Sequence, residues 1–168
     1  MSWEKKKRNT AAFLLRLLGV VILIGIITVM IPLNVPVMFG YQVFDVVSPS
    51  MEPSIPVGSL VIVKPAEATG IIEGDIVAYE SSGVIIVHRV THNNTFEGVL
   101  STKGDSNPTE DLHRVAYRDV IGVVAVHLPL LGKVGMFVSS ASGKLFFAEL
   151  ILLAAVLFLI GNRLKEKE

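Results

Sequence analysis

Residues 75–91, Asp75-Ile76-Val77-Ala78-Tyr79-Glu80-Ser81-Ser82-Gly83-Val84-Ile85-Ile86-Val87-His88-Arg89-Val90-Thr91, read as strand, turn and strand. β-Branched and aromatic residues dominate both arms. Ser81-Ser82-Gly83 supplies the glycine that tolerates the positive φ of a tight hairpin turn. Similar short runs at 43–47, 59–63, 95–102 and 120–127 surround this unit, and a second turn is expected at Asn93-Asn94. Pro53, Pro56, Pro65 and Pro108 punctuate the connections, and no internal repeat or low-complexity tract interrupts them. From about Gln42 to Ser140 the pattern is that of a small, mostly β domain. Roughly 100 residues are enough for such a domain to have its own core.

Outside that centre the chain is apolar. Hydrophobic residues make up 51% of the 168 residues, more than globular domains usually carry, and the surplus points to lipid. After Lys5-Lys6-Lys7-Arg8, residues 11–31 carry one charge, Arg16, and about 20 apolar residues suffice to cross a bilayer core. Arg16 is close enough to the basic flank to snorkel to the headgroups. The span is expected to end at Ile31-Pro32, because proline removes an amide donor that lipid cannot replace. A cleaved signal peptide has a shorter core and a small-x-small exit, which Val29-Met30-Ile31-Pro32-Leu33-Asn34 lacks. An uncleaved anchor is therefore the expectation.

A second apolar run, 145–160, precedes Gly161-Asn162-Arg163-Leu164-Lys165, a basic flank of the cytoplasmic kind. Glu149 lies about 6 Å along a helix from Leu145 and can sit at the outer headgroups. An interfacial or buried helix is the alternative for this run. The expected organisation is a cytoplasmic basic tail (1–10), a transmembrane anchor (11–33) and an extracytoplasmic domain (34–141). A second transmembrane or interfacial helix (142–161) and a cytoplasmic tail (162–168) complete it. The bilayer is thus a partner. Nucleic acid is not, since 15 Lys and Arg balance 15 Asp and Glu and leave no global positive field. The absence of cysteine excludes disulfides, thiolate zinc sites and a cysteine nucleophile.

Residues able to do chemistry lie in the β-rich centre. Ser50 stands in Ser48-Pro49-Ser50-Met51-Glu52-Pro53-Ser54, where two prolines stiffen the loop. Such a loop can fix a nucleophile while the Ser48 hydroxyl and the Ser50 amide face a developing oxyanion. The same residues also make an ordinary turn. Strand alternation puts Val84, Ile86, His88 and Val90 on one face, and Ile85, Val87 and Arg89 on the other. His88 is then an imidazole on an apolar face, either a general base or a hydrogen-bonded core histidine. Asp105 and Asp111 occur in Lys103-Gly104-Asp105-Ser106-Asn107-Pro108-Thr109-Glu110-Asp111. Either could hold an imidazole by its other nitrogen, and Gly104-Asp105-Ser106-Asn107-Pro108 is equally a turn with an Asx-type bond. Glu110 points away from its neighbour in an extended backbone. His88, Asp105 and Asp111 could ligate a metal, but no His-x-x-x-His or paired-ligand spacing supports it, and no cofactor is expected.

Taken in order, Ser48-Pro49-Ser50-Met51-Glu52-Pro53-Ser54, Gly74-Asp75-Ile76-Val77, Val87-His88-Arg89-Val90 and Lys103-Gly104-Asp105-Ser106-Asn107 resemble the sequence boxes of type I signal peptidases. Val120-Ile121-Gly122 through Leu128-Pro129-Leu130-Leu131-Gly132 resembles the closing segment of that family. Histidine rather than lysine before Arg89 is the pattern of the endoplasmic-reticulum-type branch. Pro49 and Ser106 differ from the residues usual at those two positions. The resemblance implies a signal-peptidase-like β domain carrying a serine endopeptidase. Ser50 would be the nucleophile, His88 the base, Asp111 the orienting carboxylate, Asp105 a supporting acid and Ser48 an oxyanion donor. It further implies secretory preproteins as substrates, proximity to the Sec translocon, and a multi-pass location in the cell membrane or the endoplasmic reticulum membrane. Two other functions fit the residues: a non-catalytic membrane-anchored scaffold or binding subunit, and a peptidase dedicated to pilin-like or matrix proteins.

Overall fold

The computed structural model describes residues 2–166. They form two compact units, a helical one drawn from both ends of the chain and a β-rich one spanning Leu33–Met136.

In the helical unit, α1 (Ser2–Met38) and α3 (Ala141–Glu166) are the long elements. Residues Lys5–Met38 and Ala141–Lys165 are each long and apolar enough to cross a membrane. The two helices lie antiparallel, with Gly19 against Ala154 and Phe158, and Gly161 against Ala12 and Arg16. Small residues at these crossings let the backbones approach, which is how helices associate without a hydrophobic driving force. The chain stays helical past Ile31-Pro32, where the membrane span is expected to end: α1 continues through Pro32 and Pro36. A proline forfeits a single intrahelical bond and does not by itself stop a helix. The stop comes at Gly40 (φ +81°), where the amides of Phe39 and Tyr41 bond Pro36 O and that of Gly40 bonds Val37 O. The second helix begins at Ala141, beside the expected 142, where Ser140 Oγ accepts from Gly143 N at 3.0 Å and caps it.

The β unit is a seven-stranded antiparallel sheet, in agreement with a mostly β reading. Its strands are β1 (Gln42–Asp45), β2 (Leu60–Lys64), β3 (Ile76–Ser81), β4 (Val84–Asn94), β5 (Val99–Lys103), β6 (Val115–Ala116) and β7 (Val120–Leu128). They lie in the order β1-β2-β7-β3-β4-β5-β6. The β3–β4 hairpin turns on Ser82 (φ 53°) and Gly83 (φ 79°), a two-residue loop whose twist suits the strands. The turn expected at Asn93-Asn94 lies further on. Both asparagines belong to β4, and the chain reverses at 95–98, where Asn94 Oδ1 accepts from Glu97 N at 3.0 Å and Gly98 takes positive φ. Glycine holds the left-handed conformation at less steric cost than asparagine.

Neither β6 nor the helix α2 (Leu131–Ser139) is evident from periodicity. The helix is seated by close backbone approach: a Cβ at Gly132 would lie 2.4 Å from Ser59 O.

Alternation along β3 creates two cores. Val77 and Tyr79 join Val90, Leu100 and Val115 on one face, while Ala78 joins Met51, Ile55, Val61 and Val63 on the other. The sheet curls enough for β1, at its edge, and the first half of β4, four strands along, to border one cleft.

Candidate active site

Ser50 occupies a single 3-10 turn, Pro49–Met51, set by its neighbours. Ser48 precedes a proline and is extended (φ −117°, ψ 153°), and Pro49 supplies the φ of a first helical residue. Met51, 1% exposed, anchors the turn in the core. The turn lies against β4.

The loop after β5 clasps this turn. Ser106 N donates to Ser50 O and Ser106 Oγ to Pro49 O, both at 3.0 Å. Gly104 makes the approach possible. A Cβ there would sit 2.7 Å from Ser50 O, 2.7 Å from Asn107 Nδ2 and 3.0 Å from His88 Nε2.

His88 is 8% exposed. Its Nδ1 lies 2.6 Å from Asp111 Oδ2. A carboxylate accepts, so Nδ1 carries the hydrogen of this bond, and in the neutral imidazole Nε2 is then the acceptor. Asp111 is itself held: its amide donates to Thr102 O at 2.9 Å, and Oδ2 also accepts from Thr102 Oγ1 at 2.7 Å and Tyr79 OH at 3.2 Å. The Tyr79 ring meets the imidazole edge-on, with centroids 6.4 Å apart. Burial, reinforced by the Asp111 charge, pushes the Tyr79 phenol up to about 12, so it is a hydroxyl donor at neutral pH.

Asp105 lies elsewhere. Arg89 grips it with two bonds, Nε to Oδ1 at 2.8 Å and Nη2 to Oδ2 at 2.6 Å. Arg89 Nη1 also reaches Gly74 O at 2.8 Å. The Arg89 hydrogen bonds hold the Asp105 carboxyl below the usual carboxylate range, against a smaller opposing effect of burial. Arg89 and His88 are consecutive on β4 and point to opposite faces, which separates the two aspartates.

Ser48, Ser50, Asn107 and His88 line one cleft of about 420 Å³. Within it Ser50 Oγ is paired with Ser48 Oγ at 3.3 Å, not with His88. The walls of the cleft are strand edges. Val46 turns both its amide and its carbonyl toward Ser59 and Gly58, so alternation turns those of Asp45 and Val47 outward. On β4, Val90 bonds the Gly74–Asp75 side, and pairing with β5 begins only at Arg89. The amides and carbonyls of Ile85 and Val87 are therefore also turned to an open edge.

Sequence reasoning missed Tyr79, Thr102, Gly104 and Asn107 as members of this site. Gly104 alone carried a visible signal, a glycine immediately before an acidic turn. Tyr79 and Thr102 look like ordinary strand residues.

The model of the family described as Peptidase S24-like matches residues 38–125, which includes every residue of the cleft named above. Over 106 residues the chain is 37% identical to the signal peptidase complex catalytic subunit SEC11 of Candida tropicalis, covering 56% of this chain and 63% of that protein. The SEC11 subunit of Scheffersomyces stipitis is 36% identical over the same shares of both chains. That of Komagataella phaffii is 34% identical over 111 residues, covering 56% of this chain and 64% of its own. The match thus spans a little under two thirds of these relatives.

Proposed function

The chain belongs to the Peptidase S24-like family, and on that premise we propose that it is a membrane-bound serine endopeptidase that removes signal peptides from secretory precursors. The observation that carries this reading is the 2.6 Å bond from His88 to Asp111 beside a cleft that also holds Ser50. The names of the SEC11 relatives support the substrate class.

An extended precursor segment enters the cleft and bonds the free backbone groups of Asp45 and Val47 on one side and Ile85 and Val87 on the other, as an added strand. Ser50 Oγ leaves Ser48, turns to His88 Nε2 and attacks the scissile carbonyl as its proton passes to the imidazole. Asp111 stabilises the imidazolium. The oxyanion is met by the Ser50 amide and the Ser48 hydroxyl, and losing one such donor raises a barrier by about 3 kcal/mol. His88 then protonates the departing amine. Water, deprotonated by His88, cleaves the ester, and Ser50 regains its hydrogen. Asp105 supports the site through Arg89, keeping the loop of Gly104 against the nucleophile turn.

In this reading both long apolar helices cross the bilayer with their basic ends in the cytoplasm and the β unit outside. Sharing a membrane with the precursor raises the effective concentration, so weak intrinsic affinity suffices. Proximity to the Sec translocon and to further subunits belongs to the same proposal. The test is to incubate the protein, reconstituted in vesicles, with a preprotein and to read the new amino terminus by mass spectrometry. Ser50→Ala and His88→Ala should each abolish cleavage and leave the circular dichroism spectrum unchanged. Cleavage retained in either variant would refute the assignment.

A further inference from the structure

Three donors converge on one oxygen: Asp111 Oδ2 lies 2.6 Å from His88 Nδ1, 2.7 Å from Thr102 Oγ1 and 3.2 Å from Tyr79 OH. We propose that Tyr79 and Thr102 are positioning residues of the peptidase reaction, orienting the Asp111 carboxylate and limiting how strongly it draws the imidazole hydrogen. The proposal rests on the Ser50, His88 and Asp111 reading given above.

Strand register brings the three donors together. Tyr79 on β3 pairs with Ile86, which shares a face with His88 on β4, and Thr102 on β5 pairs with Val90 on that same face. Three adjacent strands therefore present a phenol, an imidazole and a hydroxyl to one point, and groups on strands are held more rigidly than groups on loops. Asp111 arrives on a loop and needs that rigidity. Thr102 holds it twice, by carbonyl to the Asp111 amide and by hydroxyl to the carboxylate.

Burial alone does not require this arrangement. Tyr79 OH and Thr102 Oγ1 are 3.3 Å apart and could satisfy one another, yet both also reach Asp111. Each hydroxyl donated to Oδ2 stabilises its negative charge and lessens its competition for the hydrogen on Nδ1. Removing one donor makes the carboxylate a better acceptor from His88 and leaves it less well oriented. The other charged groups near the imidazole are the same in wild type and variants, and they include Asp45, which borders the cleft that holds Ser50 and His88 and whose carboxyl is raised by burial. Asp105 is bound to Arg89, and Glu80, His113, Arg114 and Asp119 border a smaller cleft that Asp111 also lines.

The experiment uses the full chain in detergent micelles with Thr102→Val and Tyr79→Phe, both nearly isosteric, and Thr102→Ser, which keeps the hydroxyl and loses a methyl. Two readouts are taken: the pH dependence of kcat and KM on a preprotein, and the proton resonance of His88 Nδ1–H. Thr102→Val should lower kcat about tenfold with KM unchanged, as expected for losing one bond to a charged group. It should also move the acidic limb of the rate profile to higher pH and shift the resonance downfield. Thr102→Ser should restore all three. Tyr79→Phe should act in the same direction by less, because its bond is longer. An unmoved resonance and acidic limb in both Thr102→Val and Tyr79→Phe would overturn the proposal, as would a serine variant as impaired as the valine one. Wild-type protein that cleaves nothing while the resonance still shifts would overturn the peptidase reading and uphold the bonding role. An unmoved resonance in protein that cleaves would do the reverse.

Discussion

Gly104→Ala is the smallest change that reaches the proposed nucleophile, the proposed base and their loop together. Its backbone is outside the left-handed region, so the added methyl is the whole perturbation. That methyl would sit 2.7 Å from Ser50 O, 2.7 Å from Asn107 Nδ2 and 3.0 Å from His88 Nε2. A carbon at 2.7 Å is well inside the optimal separation, so neighbours must retreat by roughly half an ångström or more. Asn107 can swing its amide aside. His88 is held by Asp111, and Ser50 O is backbone that also accepts from Ser106 N. The displacement therefore falls on the Ser50 turn. A misplacement approaching 1 Å costs about 10²-fold in rate, so kcat/KM should fall between about tenfold and 10²-fold. The inserted methyl should also cost about 1–3 kcal/mol of stability. Initial rates of preprotein cleavage by reconstituted protein measure the first effect and thermal unfolding the second. Gly70→Ala is the control, because nothing lies within 4 Å of its added carbon. A Gly104→Ala variant with wild-type kcat/KM would refute the close apposition of this loop to Ser50 and His88.

Three further outcomes follow from the same geometry. Asp111→Asn should reduce kcat by about 10⁴-fold by disturbing the imidazole tautomer, whereas Asp105→Asn should act mainly on stability, by about 1–3 kcal/mol. A reversed ranking of their kcat values would exchange the two roles. Asp105 is held below its ordinary 3.8 by Arg89, so its stabilisation is present above that pH and is lost as pH falls through the lower folded value. Melting curves of wild type and Asp105→Asn should therefore differ at pH 7 and converge in strong acid, and a gap that persists there would contradict the ion pair. Gly122→Ala should destabilise the β unit by about 2–3 kcal/mol or prevent folding, because its Cβ would fall 2.1 Å from Lys64 O. Native melting behaviour in that variant would show β2 and β7 to be less closely joined.

Much of the architecture was written locally. The apolar runs, the alternation of 84–91 and the Ser82-Gly83 turn each depend on residues within one helix turn or one strand pair, so the chain alone announced two long helices and a β domain. It also supplied a serine in a stiff loop and a histidine on an apolar face. Asp105 and Asp111 remained equivalent as sequence, because six residues of loop permit either carboxylate to reach the imidazole. Tertiary structure distinguished them, through the opposite directions of Arg89 and His88 and the anchoring of Asp111 on Thr102. The chain did not disclose the passage of α1 beyond Pro32, the turn at 95–98 rather than 93–94, or the partnership of Tyr79 with Thr102. The first two are decided by local competition, in which Gly40 and Gly98 take the positive φ that ends the element, and the third by register between strands far apart in sequence. Periodicity reports which face a side chain occupies, and only the pairing of strands determines what stands opposite it.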